Sequence, residues 1–382
     1  MSFLHDASVE CTLSELDIFD IPPTQTSIEK FLFVEVQPIA ALSDNAPLEF
    51  FISGSDDYYY DLNNTLLYIN CCIVKQDNSA IAAGARVAVI NYPLATLFNQ
   101  IDITLGDRVI SQSNNLYSYS AGHHNDRSLD GSITGFVKIA VATAHLKPLD
   151  LLGLIFMDIF NQPKLILNGL DLKVQLTRNK DVFCLMPAEA EPLKVQITQA
   201  ALYVKRVQVS PAVQIGHSQA LLSATAKCAI DRTCLKVYSM AAGTRTTNYE
   251  NLFLGQIPKT LILGFVDNEA FSGSYAKNPL MFHHYNVSHA TLYLDGLQIP
   301  AQPYNPNFNV DLAIKEYMAL AHTSGKQKAD CAMAIDREEF MDGFTLMAFD
   351  LLLDQEPGGH FSLIKHVACV LKSDLRYRPP IR

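Results

Sequence analysis

Apolar and polar positions alternate with a period of two along much of this chain. Ile101, Ile103 and Leu105 alternate with Asp102 and Thr104, and Gly106–Asp107 offers a turn before Val109 and Ile110. Leu170, Leu172, Val174 and Leu176 alternate with Asp171, Lys173, Gln175 and Thr177, one face dry and one wet. Asn168–Gly169, a favoured type I′ pair, precedes that run, with Leu165 to Leu167 on its other side, which predicts a hairpin. Leu193, Val195 and Ile197 form a third alternating run. Leu292 and Leu294, then Asp295–Gly296, then Leu297 and Ile299 predict another hairpin.

Helical periodicity is confined to the second half. Pro211 suits a helix N1 position, with Val213, His217, Ala220 and Ala224 on one stripe. Asn309 can cap a helix carrying Val310, Ile314, Tyr317 and Ala321. Asp336 and Glu339 have capping-box spacing before Phe340. The chain reads as all-β, with short helices inserted between strands.

A faint internal repeat sets the expected architecture. Ile103–Ile110 and Leu292–Ile299 share apolar alternation, a glycine turn and renewed alternation. Their leucines at 105 and 294 lie 294 − 105 = 189 residues apart, about half of the 382. The segment 186–192, MPAEAEP, reads as a connector. Two β-sandwiches joined near residue 190 account for this most simply.

Composition narrows the function. Hydrophobic residues make up 49% and charged ones 18%, which excludes a disordered chain. The formal net charge is −10, the wrong sign for a protein that mainly wraps duplex DNA. Asp6, Glu10, Glu15, Asp17 and Asp20 precede the first cation, Lys30, the reverse of a secretory n-region. The apolar stretch Leu151–Met157 stops at Asp158, far short of the ~18 residues that span a bilayer. The 8 cysteines form no CxxC pair, and Cys71–Cys72 point to opposite faces if they lie on a strand, so buried reduced thiols are expected rather than zinc or disulfides. Together these predict a soluble chain made inside the cell.

Candidate chemistry is sparse. His123–His124 and His283, His284 and His289 are the residues to test for a metal, but a cupin site needs HxH and a spaced glutamate. Asp56, Asp57 and Asp61 supply oxygen ligands without calcium-loop spacing, and a turn is the simpler reading. No GxSxG, GxxxxGK[ST], GxGxxG or HExxH occurs. Hence no catalytic, cofactor-binding or metal residue is assigned, and an enzyme is not expected. The basic end, with Lys372, Arg376, Arg378 and Arg382 around Pro379–Pro380, reads as a frayed tail.

Several stretches carry a family resemblance. They are 21–30 (IPPTQTSIEK), 61–69 (DLNNTLLYI), 167–173 (LNGLDLK), 178–186 (RNKDVFCLM) and 250–259 (ENLFLGQIPK). The series continues through 266–268 (VDN), 271–275 (FSGSY), 277–279 (KNP), 284–286 (HYN), 294–300 (LDGLQIP) and 358–365 (GGHFSLIK). In order and spacing, across most of 14–366, they resemble the major capsid protein of Polintons (Mavericks) and the related adintoviruses, integrated transposable elements of animal genomes.

The resemblance implies a double jelly roll: an arm over 1–28, a first roll over 29–188 and a second over 189–382. It implies a structural, hexon-like subunit of the virion, a homotrimer whose capsomers tile an icosahedral shell around double-stranded DNA. Expected partners are further copies of itself and penton or minor capsid proteins, with no membrane insertion, no sequence-specific nucleic acid and no cofactor. Two departures imply a shortened, decayed copy. The chain is compressed around 118–150, where Val137–His145 reads as unrelated, and the pattern runs out after Val367, which would leave the second roll without C-terminal strands. Two alternatives stand beside the capsid reading. One is a host-recruited jelly-roll binding module, for which the run Tyr58, Tyr59 and Tyr60 would supply exposed aromatics. The other is a cupin-like metalloenzyme built on the histidines.

Overall fold

A computed structural model describes residues 25–375 apart from 45, 56, 82–86, 123–147, 188–191, 251, 254–255, 326–334 and 352–368. Its described strands are β1 (Ile28–Val36), β2 (Leu48–Ile52), β3 (Tyr59–Lys75), β4 (Val87–Val89), β5 (Phe98–Leu105), β6 (Arg108–Gln112), β7 (Leu149–Leu154) and β8 (Leu172–Arg178). They continue as β9 (Leu185–Pro187), β10 (Leu193–Val209), β11 (Thr246–Tyr249), β12 (Thr260–Gly264), β13 (Val287–Leu294), β14 (Leu297–Tyr304), β15 (Leu346–Asp350) and β16 (Cys369–Leu375). All ladder pairs are antiparallel. The described residues divide into two compact units, one within 23–237 with 269–280 and the other within 238–268 with 281–375.

In the first unit the sheets have the orders β1-β10-β3-β7 and β2-β8-β5-β6, with a separate β4-β9 ladder. The two-residue period explains the layering. Leu172, Val174 and Leu176 of β8 are fully buried while Lys173 and Gln175 alternate outward. Leu67, Ile69, Cys71 and Ile73 give β3 its dry face. Each such side chain contributes roughly 1.5–3 kcal/mol on burial, so a register slip that turned the row outward would forfeit several at once.

The second unit repeats this frame. Its sheets have the orders β11-β16-β13-β14 and β12-β15. Six strands of each unit correspond in chain order and in pairing: β2, β3, β5, β6, β7 and β8 with β11, β12, β13, β14, β15 and β16. The faint sequence repeat falls on the equivalent hairpins β5–β6 and β13–β14. In the second, Leu294 faces Leu297 across Asp295 (φ 49°) and Gly296 (φ 81°). Two successive positive φ angles are what a type I′ turn requires.

Several expectations need correction. The segment near 190 does not divide the chain, because β10, which follows it, pairs with both β1 and β3 inside the first unit. Asn168–Gly169 does not turn a hairpin either. Both edges of β8 are occupied, by β2 and β5, and Ile166 instead bridges Tyr60. The helix expected to start at Asn309 runs Ile314–Thr323, after a single 3-10 turn over Phe308–Val310. The tail expected to fray after Val367 forms β16, an inner strand paired with β11 and β13, with Cys369, Leu371 and Ser373 buried. Its hydrophilic look comes from the outward residues Lys372 and Asp374, the normal wet half of an alternating strand. Val137–His145, Arg376, Arg378 and Arg382 lie outside the described residues.

Candidate functional site

The histidines occupy separate structural niches. His284 stacks on Phe308 (centroids 4.3 Å apart), and its Nδ1 accepts the Asn286 backbone N–H at 3.0 Å. Burial, followed by the neighbouring His283, holds its pKa below the usual imidazole range. His283 meets Tyr285 edge-on at 5.7 Å. His289 pairs through Nδ1 with Asn305 Oδ1 at 3.0 Å. Among the described residues, no three His, Cys, Asp or Glu side chains gather closely enough to hold a metal. His123, His124 and Asp56 lie outside the described residues. Asp61 pairs with Lys205 at 2.9 Å and accepts from Asn64 Nδ2 at 2.9 Å. The Asp57 carbonyl accepts Gln214 Nε2 at 3.3 Å.

The tyrosine run is core rather than platform. Tyr60 is fully buried and donates to the Ser53 carbonyl at 2.7 Å, and buried Tyr59 is paired with His217 Nδ1 at 2.8 Å. That pairing docks the helix Pro211–Leu221, whose Val213 rests on Tyr59, Val207 and Val209. Cys71, Cys184 and Cys369 are buried as expected, and burial pushes the Cys71 thiol up to about 12 and Cys369 up to about 11; Cys72 is half-buried, and Cys228 and Cys234 depart from the expectation because they are exposed.

One buried carboxylate escaped sequence reasoning. Glu316 is 3% exposed on the helix Ile314–Thr323, and burial raises its pKa. The backbone N–H of Asn305 donates to it; burial first, and then Glu316, raise the pKa of nearby Tyr304, whose hydroxyl donates to the Ala348 carbonyl at 2.8 Å. Burial and the backbone hydrogen bond give it the setting of a core acid. A shallow hollow of ≈ 250 Å³ between Leu42, Asp44, Leu48, Asn78 and Gln196 falls below the usual range for ligand pockets, about 300–1,000 Å³.

What the surface does present is apolar sheet. Leu32, Val34 and Val36 of β1 face inward, whereas Phe31 and Phe33 on the opposite side are 61% and 47% exposed. Lys205 lies 5.0 Å from the Phe31 ring centroid, and Tyr68 and Tyr203 stack edge-on at 6.3 Å on the same sheet. The local signal was in the sequence: Phe31–Val34 is apolar without alternation, the mark of a strand covered on both faces. Isolated exposed apolar residues are ordinary, whereas here several aromatic rings share one sheet face.

Fold and surface together define a class, the double jelly roll. Solved structures that share the fold include viral ones. The Sputnik virophage structure, solved by cryo-EM, superposes with a TM-score of 0.56 and 11% identity over 96% of this chain and 86% of that one. A chain of the PBCV-1 virus capsid gives 0.55 and 11%, over 93% and 86%. An uncharacterized protein of Caenorhabditis elegans, F54H12.2, is 20% identical over 389 residues, covering 94% of this chain and 93% of its own. No family model matches. Among the described residues, no helix is long and apolar enough to cross a membrane.

Proposed function

We propose that this chain is a structural capsid subunit, the major capsid protein of a Polinton- or adintovirus-type integrated element, acting as a homotrimeric capsomer. The observation that carries this reading is the duplication itself: six strands recur in the same order and pairing in two units of one chain. Three such chains present six similar sandwiches, which gives a trimer a near-hexagonal outline suited to tiling. The fold likeness to chains of viral particles and the bare aromatic side of β1 support the same reading. The family motifs at 250–259 and 294–300 support the Polinton assignment. Neighbouring capsomers and penton proteins are the partners it implies, inside the infected or host cell and in the virion.

The test is the absolute mass of the purified chain by light scattering, with electron microscopy of the same peak. The expected result is three times 42.3 kDa with a hexagonal outline. A monomer at every concentration, with a smooth surface that recruits no second copy, overturns the proposal.

A further inference from the structure

After the helix Pro211–Leu221 the chain runs from Leu222 to Val237 without regular secondary structure, still within the first unit. Connections longer than about 12–15 residues without structure of their own are uncommon in compact domains and are usually functional or disordered. This one does not behave as a loose tether. The Thr233 backbone N–H donates to Asp158 Oδ1 at 3.1 Å, and Cys228 lies close enough to Lys164 to feel its charge. Nor does it have a solvated linker's composition. Leu222 is 89% exposed and Val237, at the far end of the segment, is exposed too, while the preceding helix buries no residue and turns Ile215 and Leu221 to solvent. A group of apolar side chains left bare along an anchored segment suits a surface that a partner covers.

Charge says what covers it. Lys227, Arg232 and Lys236 against Asp231 give this strap 3 − 1 = +2 on a chain of −10, so the rest carries −12. The partner that complements a basic, apolar strip is an acidic protein, and a second copy of this chain, at −12 outside the strap, is acidic. We infer that Leu222–Val237, with the outward side of the helix Pro211–Leu221, is a docking strap for the acidic surface of a second copy. The contact is heterologous, strap on one copy and acidic surface on the other, the type of contact that closes a ring. The inference rests on the self-assembly reading above and names the surface that reading needs.

The experiment uses the full chain with Lys227→Glu and Arg232→Glu together, and separately Leu222→Ser. Light scattering across a concentration series reads association, and thermal midpoints check that both variants fold. Association of the charge-reversed chain should weaken at least tenfold, and that of the native chain should weaken as salt rises. Maleimide labelling resolved by peptide mass should find Cys228 and Cys234, exposed in the single chain, slowed at least tenfold in the assembled state. If the native chain assembles while both variants assemble equally well and both thiols label at the free rate, the strap is not the interface and the assembly reading survives. If the native chain stays monomeric throughout, both fall.

Discussion

The two jelly rolls share a frame and differ in what lies on its outer side. In the second unit β15 is buried on both faces. Met347 and Phe349 join the sandwich core with Leu292 and Leu371, while Leu346 and Ala348 join a second cluster with Leu320 and Phe340 from two helices. Its counterpart in the first unit, β7, leaves Leu152 in solvent, and β1 of the same sheet leaves Phe31 and Phe33 bare. The strand ladders dictate the frame; inserted helices decide which outer faces stay dry. In the second unit helices cover β15, whereas in the first the helix Pro211–Leu221 covers the patch of Tyr59, Val207 and Val209 and leaves Phe31, Phe33 and Leu152 exposed.

Breaking the frame should have the largest effect. Ser373 lies in β16 between Thr247 of β11 and Ala290 of β13, and its hydroxyl meets that of Thr247 at 2.6 Å in a buried pair. Ser373→Pro removes a ladder donor from an inner strand and should cost ~3 kcal/mol or more. The expected outcome is insoluble or unfolded protein by circular dichroism. Native-like thermal unfolding of this variant would show that β16 is not an inner strand.

Phenylalanines on the two sides of the comparison should then separate. Phe340 is fully buried in the helix-covered cluster, and Phe340→Ala should cost about 3–5 kcal/mol in denaturant unfolding. Phe33→Ala removes an exposed ring, so folding stability should change by no more than about 0.5 kcal/mol, while self-association measured by light scattering falls. Equal destabilisation by both would mean that the β1 side is already covered within the chain.

The sequence carried the frame well and the coverings poorly. Period-two alternation marked β5, β8, β10 and β13, and glycine turns marked the hairpins whose repeat turned out to join equivalent strands. What failed depended on long-range pairing. Nothing local to 165–176 shows that both edges of β8 are already taken by residues near 50 and 100. Lys372 and Asp374 disguised an inner strand because the wet face of a half-buried sheet looks like a tail. The missed carboxylate, Glu316, is an acid in an ordinary amphipathic helix whose burial arises only when β14 and β15 pack against it.

That buried acid provides a pH probe confined to the second unit. Burial raises the folded-state pKa of Glu316 above the ordinary glutamate value of about 4.3. The folded chain therefore holds this proton more tightly than the unfolded one. Stability from this group is greatest below the ordinary value, falls as pH rises toward the raised one, and stays lower beyond it. Glu316→Gln keeps an acceptor for the Asn305 N–H and removes the charge. It should be more stable than the native chain at pH 7 and should flatten the slope in that window, read by thermal midpoints from pH 4 to 7. An unchanged slope would place the ionised carboxylate in water.

Helix capping makes the finest distinction between the units. In the second, Asp336 accepts the Glu339 backbone N–H at 2.7 Å, and Glu339 Oε2 accepts the Asp336 N–H at 3.2 Å, a complete capping box on the helix Arg337–Met341 that carries Phe340. In the first, Ser210 stands at the N-cap of the helix Pro211–Leu221 but makes no side-chain cap bond; its backbone N–H instead donates to the Ser27 carbonyl. Pro211 lacks one of the amide donors a cap would serve, and a β-extended Ser210 hands that helix over to the exposed strap. Asp336→Ala should therefore cost about 1 kcal/mol, because the Glu339 N–H at the helix start loses its partner beneath a buried aromatic. Ser210→Ala should cost almost nothing. The pair of denaturation midpoints checks this directly: a large loss at Ser210 would mean that its helix is fastened to the first unit as firmly as Phe340's helix is to the second, and so is poorly placed to meet a second copy.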